Sequence, residues 1–439
     1  MSNVDNSDGD EVVDIVIEPY SNMLYKSKTL QDKKEVDDSI AAIKADPNQT
    51  LNVETHLNYI LYFLISNNKL PVGFKSMNAI SPWILYWLIC SLMTLKDPPV
   101  SMGPGMTLEK IMSKIKEETL LKLRKFQYNI STQLENDKDG PLHSGFSGAF
   151  MQIPHLAPTF ASVLTLKLTN NLDQFDFTDI KQWFMDLMSK DKRTGAYELK
   201  TSTPIGEFDA RAFYCLLVSA RLCQIDLGLE YLETIWDMLI YSQSDLEGGL
   251  NGHDKDQESH GAYAFCTLSS IIIVLDQLRV LKPEKYKNKR LHDFINIDKF
   301  IDWLAHRQDA VNGGLSGRHN KLVDGCYAYW VGACGSILKI YGYINPINMS
   351  MLKSYILNYS QDNEDKNPGL RDKPGMNADF YHTNYILMGL SLCEYENDMY
   401  LPDAYSDAMD IRCNELKGKQ VHGVNPVYGV PVYVIAQRE

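Results

Sequence analysis

Apolar positions recur at three- and four-residue spacing through 52–66, 83–95, 107–132 and 177–190, which predicts amphipathic helices there. Few stretches alternate with a period of two, so strands are expected to be rare. Other segments are apolar nearly all round, as in YAFCTLSSIIIVLDQL from Tyr263 to Leu278. A helix of that kind belongs where other elements cover several of its sides.

The middle of the chain repeats one plan: a glycine-containing turn, a polar connection, then an anchor residue opening an apolar helix. The five copies are GFSGAFMQIPHLAPTF (145–160), GAYELKTSTPIGEFDARAFYC (195–215), GGLNGHDKDQESHGAYAFC (248–266), GGLSGRHNKLVDGCYAYW (313–330) and PGLRDKPGMNADFYHTNY (368–385). Their anchors are His155, Asp209, His260, Asp324 and Asp379, spaced 54, 51, 64 and 55 residues apart. Such a spacing suits a helix hairpin with its connections, a unit that buries its apolar face only by stacking on its neighbours. An open solenoid and a closed toroid both satisfy this arithmetic. The all-round apolar anchor helices favour the toroid: an all-α fold, an α/α barrel with inner and outer helix rings. Every anchor helix then begins at one mouth, where free N–H groups and partial positive charge suit an anionic ligand.

The expected division is an acidic, disordered stretch over 1–15, an N-terminal helical region over 16–75, the barrel over 76–394, and an irregular loop and tail over 395–439 packing on it. A net charge of −13 argues against a general nucleic-acid or anionic-membrane binder, so an anionic ligand needs a local basic cluster. The longest weakly polar run, about Trp83 to Leu95, falls short of the roughly 20 residues a bilayer core requires, and no membrane span is expected. The N-terminus lacks the basic and apolar regions of a signal peptide. Eight cysteines without CxxC spacing fit a reduced, cytoplasmic protein in which most of them are small buried apolar residues.

Three groups of residues bear on chemistry. Asp324 and Cys326 lie at one helix start and His382 lies near the next, so stacking would bring together a carboxylate, a thiolate and an imidazole. Three ligands with an open fourth position are the pattern of a catalytic zinc. From spacing alone the zinc signal is weak, and the same letters read more readily as an N-cap aspartate, a core cysteine and a hydrogen-bonded histidine. Arg318 and Lys321 precede Asp324, and with His260 they suit a diphosphate, or else are solvated loop charges. The aromatics Trp83, Tyr86, Trp87, Phe160, Tyr214, Tyr263, Tyr327, Trp330, Tyr381 and Tyr385 are either packed core or the wall of a cavity that buries a long hydrocarbon.

The blocks GRHNKLVDGCYAYW, PGLRDKPGMNADFYHTNY, ESHGAYAFC, SPWILYWLICSL, PHLAPTF, GEFDARAFYC and NPVYGVP together resemble the β subunits of protein prenyltransferases, most of all protein farnesyltransferase. The resemblance covers roughly 75–395 and the tail block. It implies an α/α barrel and one Zn2+ held by Asp324, Cys326 and His382, with Asp379 orienting that site. It implies a diphosphate held by His260, Arg318, Lys321 and Tyr327, with Mg2+ assisted by Asp372. Trp330, Tyr214, Tyr263, Cys266 and Arg211 would line an isoprenoid channel, bounded by the bulk of Tyr385. Trp83, Trp87, Tyr381 and His155 would shape a pocket for the last residues of a Cys-a-a-X peptide. A separate α subunit would complete a heterodimer acting on farnesyl diphosphate and on Cys-a-a-X proteins such as small GTPases.

The related geranylgeranyltransferase type I β subunit is the alternative. The bulk of Trp83 and Tyr385, the aspartate at 372 and DGCY rather than DTCY favour the shorter lipid. Met376, where some relatives have a basic residue, and Ala262, where they have glycine, depart from the pattern. A terpene cyclase would need an aspartate-rich motif; Asp37–Asp38, the one Asp-Asp pair, lacks the further aspartates. A non-catalytic repeat scaffold would need no Asp/Cys/His set at helix starts.

Overall fold

The computed structural model describes residues 28–65, 70, 72–96, 107–127, 145–192, 194–252, 256–362, 368–415 and 417–436. The acidic stretch over 1–15 lies outside them. In chain order the helices are α1 (Lys28–Ala41), α2 (Val53–Ile65), α3 (Ser81–Thr94), α4 (Leu108–Arg124), α5 (Leu156–Leu168), α6 (Ile180–Asp186), α7 (Ala210–Leu222) and α8 (Leu229–Leu239). Then follow α9 (Gly261–Leu281), α10 (Pro283–Tyr286), α11 (Ile297–Ala305), α12 (Tyr327–Ile340), α13 (Met349–Tyr355), α14 (Phe380–Glu394) and α15 (Val432–Ile435).

The apolar helices form the inner ring. α3 packs on α5, α5 on α7, α7 on α9, α9 on α12, α12 on α14, and α14 returns to α3. That last contact closes a toroid and excludes the open solenoid. The outer helices are amphipathic. α4 buries Ile111, Ile115, Thr119 and Leu123, α8 buries Leu232, Ile235, Trp236 and Leu239, and α11 buries Ile297, Phe300, Trp303 and Leu304. A stripe of four large side chains contributes roughly 6–12 kcal/mol of gross burial.

The anchors do what local chemistry asks of them. His155, Asp209, His260 and Asp379 are N-caps whose side chains accept a backbone N–H from the first turn of α5, α7, α9 and α14. Asp324 differs: α12 starts at Tyr327, and the Asp324 carboxylate accepts the Cys326 N–H at 2.8 Å, one step ahead of the helix.

The opposite end is closed by the C-terminal tail. Val421 bridges to Leu95 beyond α3, and a short hairpin pairs β5 (Val424–Asn425) with β6 (Val430–Pro431), counting β1 (Met188–Lys190), β2 (Tyr197–Leu199), β3 (Met399–Tyr400) and β4 (Arg412–Cys413) before them. Between the hairpin strands, the carbonyls of Gly429, Val427 and Pro426 accept the hydroxyls of Tyr86 (2.7 Å), Tyr214 (2.8 Å) and Tyr329 (3.3 Å) from three inner helices. The tail is thus a floor hung from tyrosines.

Several expectations need correction. The helix expected over 177–190 covers only Ile180–Asp186. The chain then turns at Asp191, whose side chain accepts the Thr194 N–H, and at Gly195 (φ 72°), and β1 pairs with β2. Past Arg124 the helix expected over 107–132 stops, and the residues beyond 127 are outside those described. The segment after 395 is less irregular than expected: β3 pairs with β4, and Asp407 and Ala408 are held by Arg221 and by the buried Asp276. Burial pushes the Asp276 carboxyl up to about 8. Among the described residues two helical stretches, Phe74–Thr94 and Gly261–Leu281, are longer apolar runs than the one read from Trp83 to Leu95, long and apolar enough to cross a membrane. Each is mostly covered by protein, 83% for the second, as core helices are.

Candidate metal centre and aromatic barrel

The starts of α12 and α14 meet at the open mouth. There the ligand atoms of Asp324, Cys326 and His382 all lie within 4.8 Å of one another. Asp379 fixes the imidazole twice: one carboxylate oxygen accepts the His382 backbone N–H at 2.8 Å, and the other is 2.7 Å from Nδ1. Nδ1 thereby carries the proton, and Nε2 is left facing the site. That nitrogen is buried without a hydrogen-bond partner, 3.3 Å from Asp324 Oδ1 but off the hydrogen-bond line. An orphaned imidazole nitrogen beside a carboxylate and a thiol is a donor set that fits a divalent metal.

Electrostatics among the site's own groups follow from its composition. Burial alone would lower the His382 pKa, but the neighbouring Asp324 and Asp379 carboxylates overcome it and push it up to about 10. Burial would raise Asp324, and His382 beside it holds it below the ordinary carboxylate range. Burial and the Asp324 charge push the Cys326 thiol well up. At pH 7, below both raised values, His382 and Cys326 therefore carry protons, and both protons must leave when a cation binds. Metal uptake at pH 7 is expected to release about two protons per ion. Calorimetry in buffers of different ionisation enthalpy measures this, and uptake without proton release would contradict the ligand set.

Beside this cluster the His260 Nδ1 accepts the Ala262 N–H at 3.1 Å, which leaves its proton on Nε2. Nε2 lies 3.3 Å from the Tyr327 hydroxyl, so the ring donates to Tyr327 and frees the phenol proton for another acceptor. Burial and the nearby Arg318 charge lower the His260 pKa and keep it neutral. Arg318 is paired with Glu258 at 2.7 Å, and Lys321 is exposed on the same loop. Arg211 is exposed and paired with Asp209, its guanidinium 5.8 Å from the Tyr263 ring centre. His155 is 3.2 Å from Glu207, which a Thr201 hydrogen bond holds down at about 2. Asp372 is buried, with one carboxylate oxygen on Lys373 and the other unpartnered.

Below the mouth the aromatic rings form a closed circuit. Trp83 contacts Phe160, Phe160 contacts Tyr214, Tyr214 contacts Phe265, and Phe265 contacts Trp330. Trp330 lies tilted against Tyr385 at 4.3 Å, Tyr385 meets Tyr381, Tyr381 meets Trp87, and Trp87 returns to Trp83. Trp83, Tyr263, Tyr327, Trp330 and Tyr381 keep part of their surface exposed, whereas Tyr86, Phe265, Tyr329 and Tyr385 are buried. The belt reaches the metal cluster through Tyr381, whose hydroxyl accepts the Trp330 Nε1–H at 2.9 Å and whose ring meets His382 edge-on at 5.0 Å. Cys266 is a buried thiol, pushed well up by burial. Phe265, in the circuit, and Tyr329, packed against Phe265, Trp330 and Tyr385, are aromatics that the sequence reading passed over. Each lies five residues after its anchor, as Phe160 and Tyr214 do, and that spacing is the signal that marks them.

A family model for the prenyltransferase alpha-alpha toroid domain matches residues 51–430. The protein farnesyltransferase β subunit of Saccharomyces cerevisiae is 33% identical over 413 residues, covering 92% of this chain and 82% of its own. The chain belongs to the protein farnesyltransferase β-subunit family. The member from Schizosaccharomyces pombe is 29% identical and is covered over 94% of its length. Among solved structures, Candida albicans protein geranylgeranyltransferase-I shares the fold at a TM-score of 0.61 and 17% identity, over 89% of this chain and 99% of the other. In this chain's toroid the Asp/Cys/His cluster stands at the open mouth and the aromatic belt below it.

Proposed function

We propose that this chain is the catalytic β subunit that moves a farnesyl group from farnesyl diphosphate onto the cysteine thiol of C-terminal Cys-a-a-X motifs, including those of small GTPases. It works in the cytoplasm as a heterodimer with a helical α subunit. The observation that carries this reading is the convergence of Asp324, Cys326 and His382 beside a closed aromatic belt.

Asp324, Cys326 and His382 would hold zinc, a choice that suits one thiolate, one imidazole and one carboxylate with a fourth position open. Bound there, zinc supplies a Lewis acid that lowers the pKa of the substrate thiol. Asp379 keeps the His382 ring turned toward the site. The isoprenoid lies along the belt, against Trp330, Tyr214, Tyr263 and the Cys266 wall, with Arg211 beside Tyr263. Trp83, Trp87, Tyr381 and His155 shape the space for the peptide end. As the sulfur–carbon bond forms, the carbon–oxygen bond breaks and its electron pair goes to the diphosphate. His260, Arg318, Lys321 and Tyr327 would stabilise that charge, Tyr327 through the phenol proton that His260 leaves free. The unpartnered oxygen of Asp372 would contribute one carboxylate ligand to a magnesium ion, which commonly takes the rest of its shell from phosphate and water.

Co-expression with candidate α subunits, metal analysis and transfer of labelled farnesyl to a Cys-a-a-X peptide test the reading together. A heterodimer that binds no zinc and labels no peptide would refute it. Chain length has its own test. Trp83 fills the belt between Phe160 and Trp87, so Trp83→Thr should raise transfer of a twenty-carbon isoprenoid relative to farnesyl. An unchanged ratio in competition assays would remove Trp83 from the length-setting residues.

A further inference from the structure

The two loops that carry the metal-ligating residues come from different repeats, and one backbone hydrogen bond ties them. Gly325, between Asp324 and Cys326, donates its N–H to the Asp372 carbonyl at 2.8 Å. Asp372 lies in the connection leading to Asp379 and His382. The approach is so close that a Cβ on residue 325 would lie 2.6 Å from Ile386 Cδ1 and 3.2 Å from the Arg371 carbonyl oxygen. A carbonyl oxygen has two lone pairs. The second is filled by Tyr355, fully buried at the end of α13, whose hydroxyl donates at 2.9 Å. The Tyr355 ring also packs with Val323, the residue before Asp324, and with Ile40 of α1, while Val36 packs against the same cluster. Lys33 of α1 pairs with Asp309 at 3.3 Å near the same loop.

We propose that Tyr355 is a positioning residue for the metal centre. Its hydroxyl fixes the Asp372 carbonyl, the carbonyl fixes Gly325, and the Asp324–Cys326 turn is thereby held at the distance from His382 that one ion needs. The N-terminal helix α1 braces the same spot from outside. Metal sites accept ligand distances only within about 0.2 Å, so a loop freed to shift by a few tenths of an ångström is felt as lost affinity. This deepens the proposed function and rests on Asp324, Cys326 and His382 being the ligands.

Tyr355→Phe in the heterodimer keeps the ring and its packing and removes only the donor. Zinc affinity measured by chelator competition should fall roughly tenfold to a hundredfold, as it does on losing outer-shell partners elsewhere, with the helical circular dichroism unchanged. Ile40→Ala, outside the hydrogen-bonded chain, should weaken zinc in the same direction and less. If neither variant shifts zinc affinity, the positioning role is overturned. Cys326→Ala run in parallel separates the two claims: retention of stoichiometric zinc there would bring down the ligand assignment itself, and this proposal with it.

Discussion

Cys326→Ala is expected to strip the heterodimer of bound metal and of transfer activity while leaving its fold intact. The side chain is buried, yet only one atom is lost, and the hydrogen bond that Asp324 makes at this position is to the backbone N–H of residue 326, which alanine keeps. Deleting one buried heavy atom costs about 1 kcal/mol. The metal loses far more. Removing an outer-shell partner already costs roughly ten- to a hundredfold in affinity, and a thiolate bonded directly to the ion should cost well beyond that. What remains is an imidazole and a carboxylate that attract each other at 3.3 Å and gain less from an ion. The metal-to-protein ratio after dialysis, read with circular dichroism, decides it. One equivalent of metal retained by a folded variant would refute the assignment.

Gly429→Val should be the most damaging single change at the floor. Gly429 has φ 67°, in the left-handed region, and its carbonyl accepts the Tyr86 hydroxyl. A Cβ there would lie 3.0 Å from the Tyr329 hydroxyl and 3.3 Å from both Met388 Cε and the Tyr86 hydroxyl. The backbone conformation costs an L-residue about 1–2 kcal/mol. Overpacking against three large buried side chains adds about 1–3 kcal/mol. The two tyrosines would yield first, and they belong to inner helices beside the belt, so transfer should fall along with the urea midpoint. A midpoint equal to that of the unaltered chain would mean that the tail does not support the barrel.

The parts of the fold that were legible in the sequence are those set by local chemistry. A glycine turn followed by His or Asp before an apolar run announces a helix start, and four of the five anchors open their helices as read, each as an N-cap. The convergence of Asp324, Cys326 and His382 followed from stacking two such units. Ring closure was only favoured, because the contact between α14 and α3 joins residues some 300 apart that share no local signal. Phe265 and Tyr329 hid inside runs where an aromatic reads as ordinary core. Arg211 was placed on the channel wall by the family resemblance alone. In the structure it is paired with its own cap, Asp209, a contact set by the two-residue spacing. Tyr355 was invisible for a different reason: its partner is a backbone carbonyl, which carries no residue identity. The segment after 395 looked irregular because its order comes from Arg221, Asp276 and Arg279 on distant helices.

An endless hoop of helices has a property that a stack with two ends lacks. A stack grows or shrinks by whole units and merely becomes longer or shorter, whereas inserting one hairpin here would change the bore and slide every ring of the belt away from its neighbour. Bore width is therefore frozen by the number of members. Any adjustment to a thicker or longer lipid must come from trimming or enlarging individual side chains such as Trp83 and Tyr385.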